Sequence, residues 1–273
     1  MIAFPNCKIN LGLSIVAKRP DGFHELETIF YPVALKDMVE VIHSNDPSTP
    51  IQFTSTGLEV PGNLDQNLCV KAFELLKKDF PTLPNVKIHL HKHIPMGAGL
   101  GGGSSDATAV LILLNEQFKL ELSNSNLIDY AAQLGSDCPF FVYNQACHAT
   151  GRGEIIQPFS CDLSNYKMVL IHPGIHVSTA WAFNQLTPCI KEKSIAEIVA
   201  QPIENWKGQL INDFENPIIQ AYPTIGEIKN TLYQQGAIYA SMSGSGSSLF
   251  GIFPKEQILS KSLFSAEFRV DII

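Results

Sequence analysis

The chain has 273 residues, 45% of them hydrophobic and 16% charged, with a formal net charge of −7. These are values of a globular chain long enough to bury a sizeable core, and they exclude wholesale disorder. No basic field is present to hold a nucleic-acid backbone or an anionic membrane, so any bound phosphate must be gripped locally.

The predicted elements follow in chain order. Residues 3–13 alternate, with Cys7, Ile9, Leu11 and Leu13 on one face and Asn6, Lys8, Asn10 and Gly12 on the other. Period two predicts a strand with one face in the core. Pro20-Asp21-Gly22 reads as a turn. Strands are expected over Leu26–Leu35, Met38–His43 and Val86–His91, and a helix over Asn67–Asp79. A glycine-rich loop then leads into an apolar helix expected from Ala107 to about Phe118. Leu127–Leu134 reads as a helix closed by Gly135. Gly151-Arg152-Gly153 reads as a hairpin turn and Met168–His172 as a buried strand. Helices are expected near Thr179–Gln185, Ile195–Val199 and Pro223–Gln234. Two strands, Ala237–Met242 and Ser248–Phe253, are joined by a Gly/Ser loop. The last twenty residues carry no readable signal. The elements form two mixed α/β sets with a boundary near residues 150–165.

The longest strongly apolar run, Val110–Leu114, is far short of the roughly 18 residues of a spanning helix. The amino terminus lacks the apolar core of an export signal. The six cysteines contain no C-x-x-C pair, which predicts reduced thiols in a cytoplasmic protein.

The most informative stretch is Pro95-Met96-Gly97-Ala98-Gly99-Leu100-Gly101-Gly102-Gly103-Ser104-Ser105. Glycines let the backbone approach a ligand and take positive φ angles, so their N–H groups can line an anion site. Ser104 or Ser105 is a natural N-cap for the helix that follows, whose N-terminus favours negative charge. Strand, glycine loop and helix together predict a phosphate cradle that needs few basic residues. It is not a Walker A loop, because Gly103 stands where the lysine should be. Gly97, Gly99 and Gly102 match a dinucleotide fingerprint literally, with Glu121 at the acidic position. The segment after Glu121 reads as helical, however, and the short βαβ context is missing.

Three segments taken together resemble the GHMP kinases (galactose, homoserine, mevalonate and phosphomevalonate kinases). These are residues 3–12 (AFPNCKINLG), 95–105 (PMGAGLGGGSS) and 237–251 (AIYASMSGSGSSLFG). The details narrow the likeness: N-x-K-x-N-L-x-L at 6–13, D-G-F-H-E-L at 21–26, G-L-G-G-G-S-S-D-A at 99–107 and L-G-S-D-C-P-F-F at 134–141. They resemble the branch that phosphorylates a hydroxyl of a cytidine-diphosphate-linked alcohol. The resemblance runs from Ala3 to about Phe253, and four motifs in the family's order are highly specific.

It implies an α+β, two-domain fold. A ribosomal-protein-S5-domain-2-like ATP domain spans 1–155 and a ferredoxin-like substrate domain spans 156–273, with the active site in the cleft between them. It also implies ATP as co-substrate and Mg²⁺ carried with it, with the Ser105 hydroxyl a candidate ligand. The expected partner is a small molecule, with no nucleic acid or membrane and a monomeric or homodimeric chain.

The resemblance assigns site residues that local reading alone treats differently. By spacing, Ser136 or Asp137 reads as a cap of the next helix, with Pro139 near its start. The family's catalytic aspartate falls on this position, where it would accept the proton of the attacking hydroxyl. A lone lysine such as Lys8 is usually solvated. Yet it shares a face with Asn6 and Asn10, and the family makes it the partner of Asp137. Phe23 and His24 fall where the family stacks on cytosine and bonds its edge, with phenylalanine in place of the more usual tyrosine. Phe183 falls on the other side of the base, Thr179 among the substrate-binding residues, and Asn10 on a phosphate or ribose. Ser243–Ser247 reads locally as a hairpin loop, and in the family it supports the phosphate loop. His89, His91 and His93 alternate along one strand face; a metal-chelating ladder is the alternative, but no carboxylate or cysteine at ligand spacing accompanies it, and a polar exposed face is the default.

Two rivals belong to other classes: a dinucleotide-dependent oxidoreductase and a non-catalytic nucleotide- or RNA-binding module. A third is a GHMP kinase acting on another alcohol.

Overall fold

A computed structural model describes all 273 residues. Its strands are β1 (Ile2–Ala3), β2 (Asn6–Lys18), β3 (His24–Lys36), β4 (Met38–His43), β5 (Ile51–Gly57) and β6 (Val86–Lys92), followed by β7 (Cys147–Thr150), β8 (Ile155–Pro158), β9 (Tyr166–His172), β10 (Tyr239–Met242), β11 (Leu249–Pro254) and β12 (Arg269–Ile272). Its helices are α1 (Leu68–Asp79), α2 (Gly102–Phe118), α3 (Asn124–Leu134), α4 (Cys138–Tyr143), α5 (Thr179–Asn184), α6 (Ile195–Val199), α7 (Glu215–Ala221) and α8 (Pro223–Gln234). The mixture is α+β. The chain divides into two compact units interleaved in sequence. The first holds Met1–Cys7, Ala34–Met96 and Gly101–Asn144; the second holds Lys8–Val33, Gly97–Leu100 and Gln145–Ile273.

The first unit is one sheet covered by helices. Its strand order is β1-β4-β6-β5, antiparallel except that β5 runs parallel to β6. Alternation puts Val39 and Val41 of β4, and Val86, Ile88 and Leu90 of β6, into the core. There they meet Phe73 and Leu76 of α1 and Val110 and Leu114 of α2. Asn67 caps α1 by accepting the Cys69 N–H at 2.8 Å. Ser123 and Asn126 form a capping box on α3.

The second unit contains two sheets. The first, in the order β2-β3-β7-β8, ends in the β7–β8 hairpin, whose turn is the expected Gly151-Arg152-Gly153 segment with Glu154. The second has the order β10-β11-β9-β12, all antiparallel. In chain order that is 2-3-1-4, the ferredoxin-like arrangement. Its core joins Val169 and Ile171 to Ile225, Ile228 and Leu232 of α8.

Two local expectations change. Residues 6–15 of β2 are buried on both faces, so the polar face with Lys8 and Asn10 is not a solvated surface. Helix α2 begins at Gly102 rather than Ala107, and its N-cap is Gly101 at φ 69°, with no side-chain cap. Ser104 and Ser105 therefore lie inside the first turn and cap nothing. A positive φ is natural only for glycine at that position.

Candidate active site

The glycine segment has a regular main chain. Gly97, Gly99 and Gly101 take φ of 62°, 77° and 69°. Ala98 and Leu100, between them, are buried. The apolar side chains anchor the segment while the glycines bend it, which is how a loop presents amides instead of side chains. The first N–H groups of α2 have no partner within the helix, whereas Ser105 donates its N–H to the Gly101 carbonyl (3.0 Å).

In the second unit, residues far apart in sequence meet on this segment. The Ser243 hydroxyl donates to the Gly99 carbonyl at 2.8 Å, and the Ser248 N–H donates to the Ala98 carbonyl at 3.2 Å. A Cβ on Gly99 would stand 2.1 Å from the Ser243 carbonyl oxygen, so only glycine allows the approach. The Lys8 N–H donates to the Leu100 carbonyl at 2.9 Å. The Gly/Ser loop is thus more than a hairpin turn. It backs the glycine segment, and Asn212 fixes it by donating to the Met242 and Gly244 carbonyls at 2.8 Å each.

Lys8 and Asn10 lie on the same network. The Lys8 ammonium donates to Asn10 Oδ1 at 2.7 Å and sits 4.7 Å from the centre of the Phe30 ring. The Asn10 N–H donates to the Ser243 hydroxyl at 3.3 Å, and its Nδ2 to Thr28 Oγ1 at 3.0 Å. Thr28 in turn donates to the Gly12 carbonyl at 2.5 Å. Lys8 is only 3% exposed, so a polar strand face has become a buried polar network.

The expected recognition residues form a second group in that unit. His24 stacks on Phe183, with ring centres 4.9 Å apart and planes 23° apart. Phe183 meets Phe214 edge-on at 4.9 Å. Phe23 remains 53% exposed, with the Arg152 guanidinium 4.9 Å from its ring centre. The Thr179 hydroxyl lies 3.1 Å from that of Ser245, next to the Gly/Ser loop.

Asp137 belongs to the first unit. It immediately precedes α4 in helical conformation (φ −82°, ψ −17°), and its side chain makes no capping bond. The capping role expected from spacing is therefore not what this carboxylate does. Burial pushes the neighbouring Cys138 thiol up to about 12, so it is not a reactive thiolate. A cavity of about 110 Å³ lies beside Met96 and Gly103, walled by Val60, Leu68, Leu90 and Asp106.

His89 and His91 bond the Thr54 and Thr56 hydroxyls of β5 at 2.8–3.0 Å. Sequence reasoning missed a buried ion cluster of Lys92, Asp37 and Asp106, described below. Its signal was present, because Lys92 holds a core-facing position in an alternating strand.

The comparisons with known proteins bear on this geometry. The family described as "GHMP kinases N terminal domain" matches residues 67–145, which contain Pro95, Met96, the glycine segment and Asp137. "GHMP kinases C terminal" matches residues 193–261, which contain the Gly/Ser loop. This chain belongs to the GHMP kinases. It is a small-molecule kinase of that family.

Its relatives include a Bacteroides fragilis protein 50% identical over 98% of this chain and 97% of its own length. Another, from Bacteroides thetaiotaomicron, is 52% identical over 95% and 94%. Both are named 4-diphosphocytidyl-2-C-methyl-D-erythritol kinase. A crystal structure of 4-(cytidine 5'-diphospho)-2C-methyl-D-erythritol kinase aligns with TM-score 0.78 and 31% identity, over 92% of this chain and 90% of that one. The Methanococcus jannaschii mevalonate kinase shares the fold, with TM-score 0.73 at 14% identity.

Proposed function

We propose that this GHMP kinase transfers the γ-phosphoryl group of ATP to the 2-hydroxyl of 4-diphosphocytidyl-2-C-methyl-D-erythritol. The products are the 2-phosphate and ADP, and the reaction belongs to the non-mevalonate route to isoprenoid precursors. The observation that carries the reading is the network of Lys8, Asn10, Ser243 and Gly99, which gathers motif residues from both ends of the chain onto one glycine segment. The names of relatives 50–52% identical supply the substrate.

The chemistry follows from residue types. Phosphoryl transfer needs positioning and charge stabilisation more than covalent catalysis. Residues Pro95–Ser105 hold the polyphosphate with main-chain amides. Asp137 accepts, or orients, the proton of the attacking hydroxyl. Lys8 offsets the charge that develops on the transferred group. Phe23 stacks on the cytosine, His24 bonds its edge and Phe183 covers the other side of the base, while Thr179 binds substrate and Asn10 contacts a phosphate or the ribose.

No group of three or more His, Cys, Asp or Glu side chains is placed to cage a metal. An Mg²⁺ carried on phosphate oxygens is the ion assigned in this reading, with the Ser105 hydroxyl as its candidate protein ligand. Bound there, the ion would neutralise phosphate charge.

In the same reading, residues 1–155 form the ATP domain and residues 156–273 the substrate domain. The protein acts in the cytoplasm as a monomer or homodimer on a small molecule alone. The net charge of −7 supports the lack of a nucleic-acid partner. No helix is long and apolar enough to cross a membrane.

The test is ADP release, coupled to NADH oxidation, with and without the cytidylyl substrate. Release that depends on that substrate is expected. Asp137→Asn should lower kcat about a thousand-fold or more with nearly unchanged ATP affinity. Turnover of another alcohol in preference to the cytidylyl one would assign a different GHMP activity. Full activity in Asp137→Asn would remove that residue from the mechanism.

A further inference from the structure

Along β6 the side chains of Val86, Ile88 and Leu90 enter the core, and Lys92 takes the next inward position. Its ammonium is fully buried. It lies 2.5 Å from Asp37 Oδ2 and 2.7 Å from Asp106 Oδ2. Asp37, in the link between β3 and β4, uses its other oxygen differently. Oδ1 accepts the main-chain N–H groups of His93 and Ile94 at 2.5 and 2.7 Å. Those residues lead directly into Pro95 and the glycine segment. Asp106 stands at the start of the second turn of α2, the helix that leaves the segment. One ammonium therefore ties down both stems of the phosphate loop.

The packing is close. A Cβ on Gly102 would stand 3.0 Å from Lys92 Nζ and 2.9 Å from Ile94, so the first turn of α2 rests on the lysine. The Leu58 N–H donates to the Lys92 carbonyl at 2.8 Å and fixes its main chain.

Such a cluster is an expensive way to hold a fold. Desolvating three charges can exceed their mutual attraction, and apolar side chains of similar volume often do as well or better. Here a residual cost is visible, since Asp106 Oδ1 is buried without a hydrogen-bond partner. Burial and the Asp37 carboxylate push the Asp106 carboxyl up to about 7, against the pull of Lys92. What ions supply and oil does not is fixed direction and distance.

We propose that Lys92, Asp37 and Asp106 form a positioning clamp, which sets the separation of the two stems of the phosphate loop so that its amides are preorganised for a polyphosphate. None of the three touches the reacting atoms. The proposal rests on the ATP reading above, and its test has an arm independent of that reading.

In Asp106→Asn, which keeps the side-chain shape, the KM for ATP rises about ten-fold and the KM for the alcohol substrate stays within two-fold. Hydrogen exchange of the amides of residues 97–103 speeds up at least ten-fold, while those of α1 and α8 keep their protection. If the ATP reading fails, the wild type shows no ATP turnover, yet the exchange arm still reports on the clamp. Wild-type KM for ATP with unchanged loop protection overturns the proposal. So does a protection loss spread evenly over the chain, which would mark a merely structural role.

Should Asp106→Asn not fold, the charge-balanced pair Lys92→Met with Asp106→Leu carries the same expectation. A folded pair variant with wild-type KM for ATP overturns the proposal as well.

Discussion

Two lysines are buried on strands of this chain, and the chain places different groups against them. Lys92 lies between two carboxylates at hydrogen-bonding distance. Those carboxylates hold it above its usual range, although burial alone would lower it. Lys8 donates to the uncharged amide of Asn10 and rests on the Phe30 ring. An ammonium matched by two carboxylates has its field cancelled at close range. Lys8 is tied by its main-chain N–H to the Leu100 carbonyl of the glycine segment at 2.9 Å, so the strand that carries its ammonium is fixed on the segment proposed to hold phosphate. The first arrangement suits holding the chain, and the second suits meeting a phosphate.

The largest expected effects come from exchanging each lysine for a neutral residue of similar length. Lys92→Met leaves two carboxylates buried without their cation, and folding stability should fall by about 3–5 kcal/mol. Lys8→Met takes away the donor of the buried Asn10 Oδ1 and should cost about 1–3 kcal/mol, yet lower kcat about a hundred-fold or more. Urea unfolding and steady-state kinetics on both variants measure the contrast. It collapses if Lys8→Met unfolds the chain as Lys92→Met does, or if it leaves kcat intact.

A pair of glycines sharpens the same contrast at a smaller scale. A Cβ on Gly57 (φ +83°) would stand 2.2 Å from the Lys92 carbonyl oxygen; one on Gly99 (φ +77°) would stand 2.1 Å from that of Ser243. Both substitutions demand a main-chain shift, on top of about 1–2 kcal/mol for a left-handed L-residue. Gly99→Ala should part the phosphate loop from its support and raise the KM for ATP about ten-fold, with a modest fall in Tm. Gly57→Ala should reverse the order of the two effects. Equal changes in both quantities for both variants would erase the distinction between the regions.

How much of this was legible depends on where a local pattern existed. Strand β4, helix α6 and helix α8 lie where periodicity placed them, because each has one apolar face and clear ends. Strand β5 was not read. Its sequence IQFTSTG shows no inward face, and it stays half-buried to exposed, held by its parallel pairing with β6. Strands β7, β8 and β12 are four residues each, too short for a period to show, although Gly151-Arg152-Gly153 marks the turn between the first two.

Helix α2 starts ahead of the position its sequence predicts, since glycines weigh against a helix locally. There, tertiary contact with Ile94 and Lys92 overrides propensity. The glycine segment itself was legible from composition. The burial of Lys8 was not, because alternation reveals one covered face and says nothing of what covers the other. Lys92 is legible in the strand pattern. A lysine at the inward position of V-x-I-x-L-x-K announces a buried partner.

The smallest expected effect probes how Asn10 and Thr28 keep Lys8 in place. Thr28, fully buried, accepts from Asn10 Nδ2 at 3.0 Å and donates to the Gly12 carbonyl at 2.5 Å. Thr28→Val conserves the shape and removes both bonds, leaving a buried donor and a buried acceptor unmatched, at a cost of about 1–3 kcal/mol. Asn10 then loses one of the anchors that aim its Oδ1 at Lys8, so kcat should fall several-fold, well short of Lys8→Met. Thr28→Ser keeps the hydroxyl and should recover most of that kcat while giving up a methyl group of packing. If Thr28→Val loses stability and keeps full kcat, the hydroxyl serves the fold alone. The polar face of β2 would then resemble the Lys92 cluster more than the comparison allows.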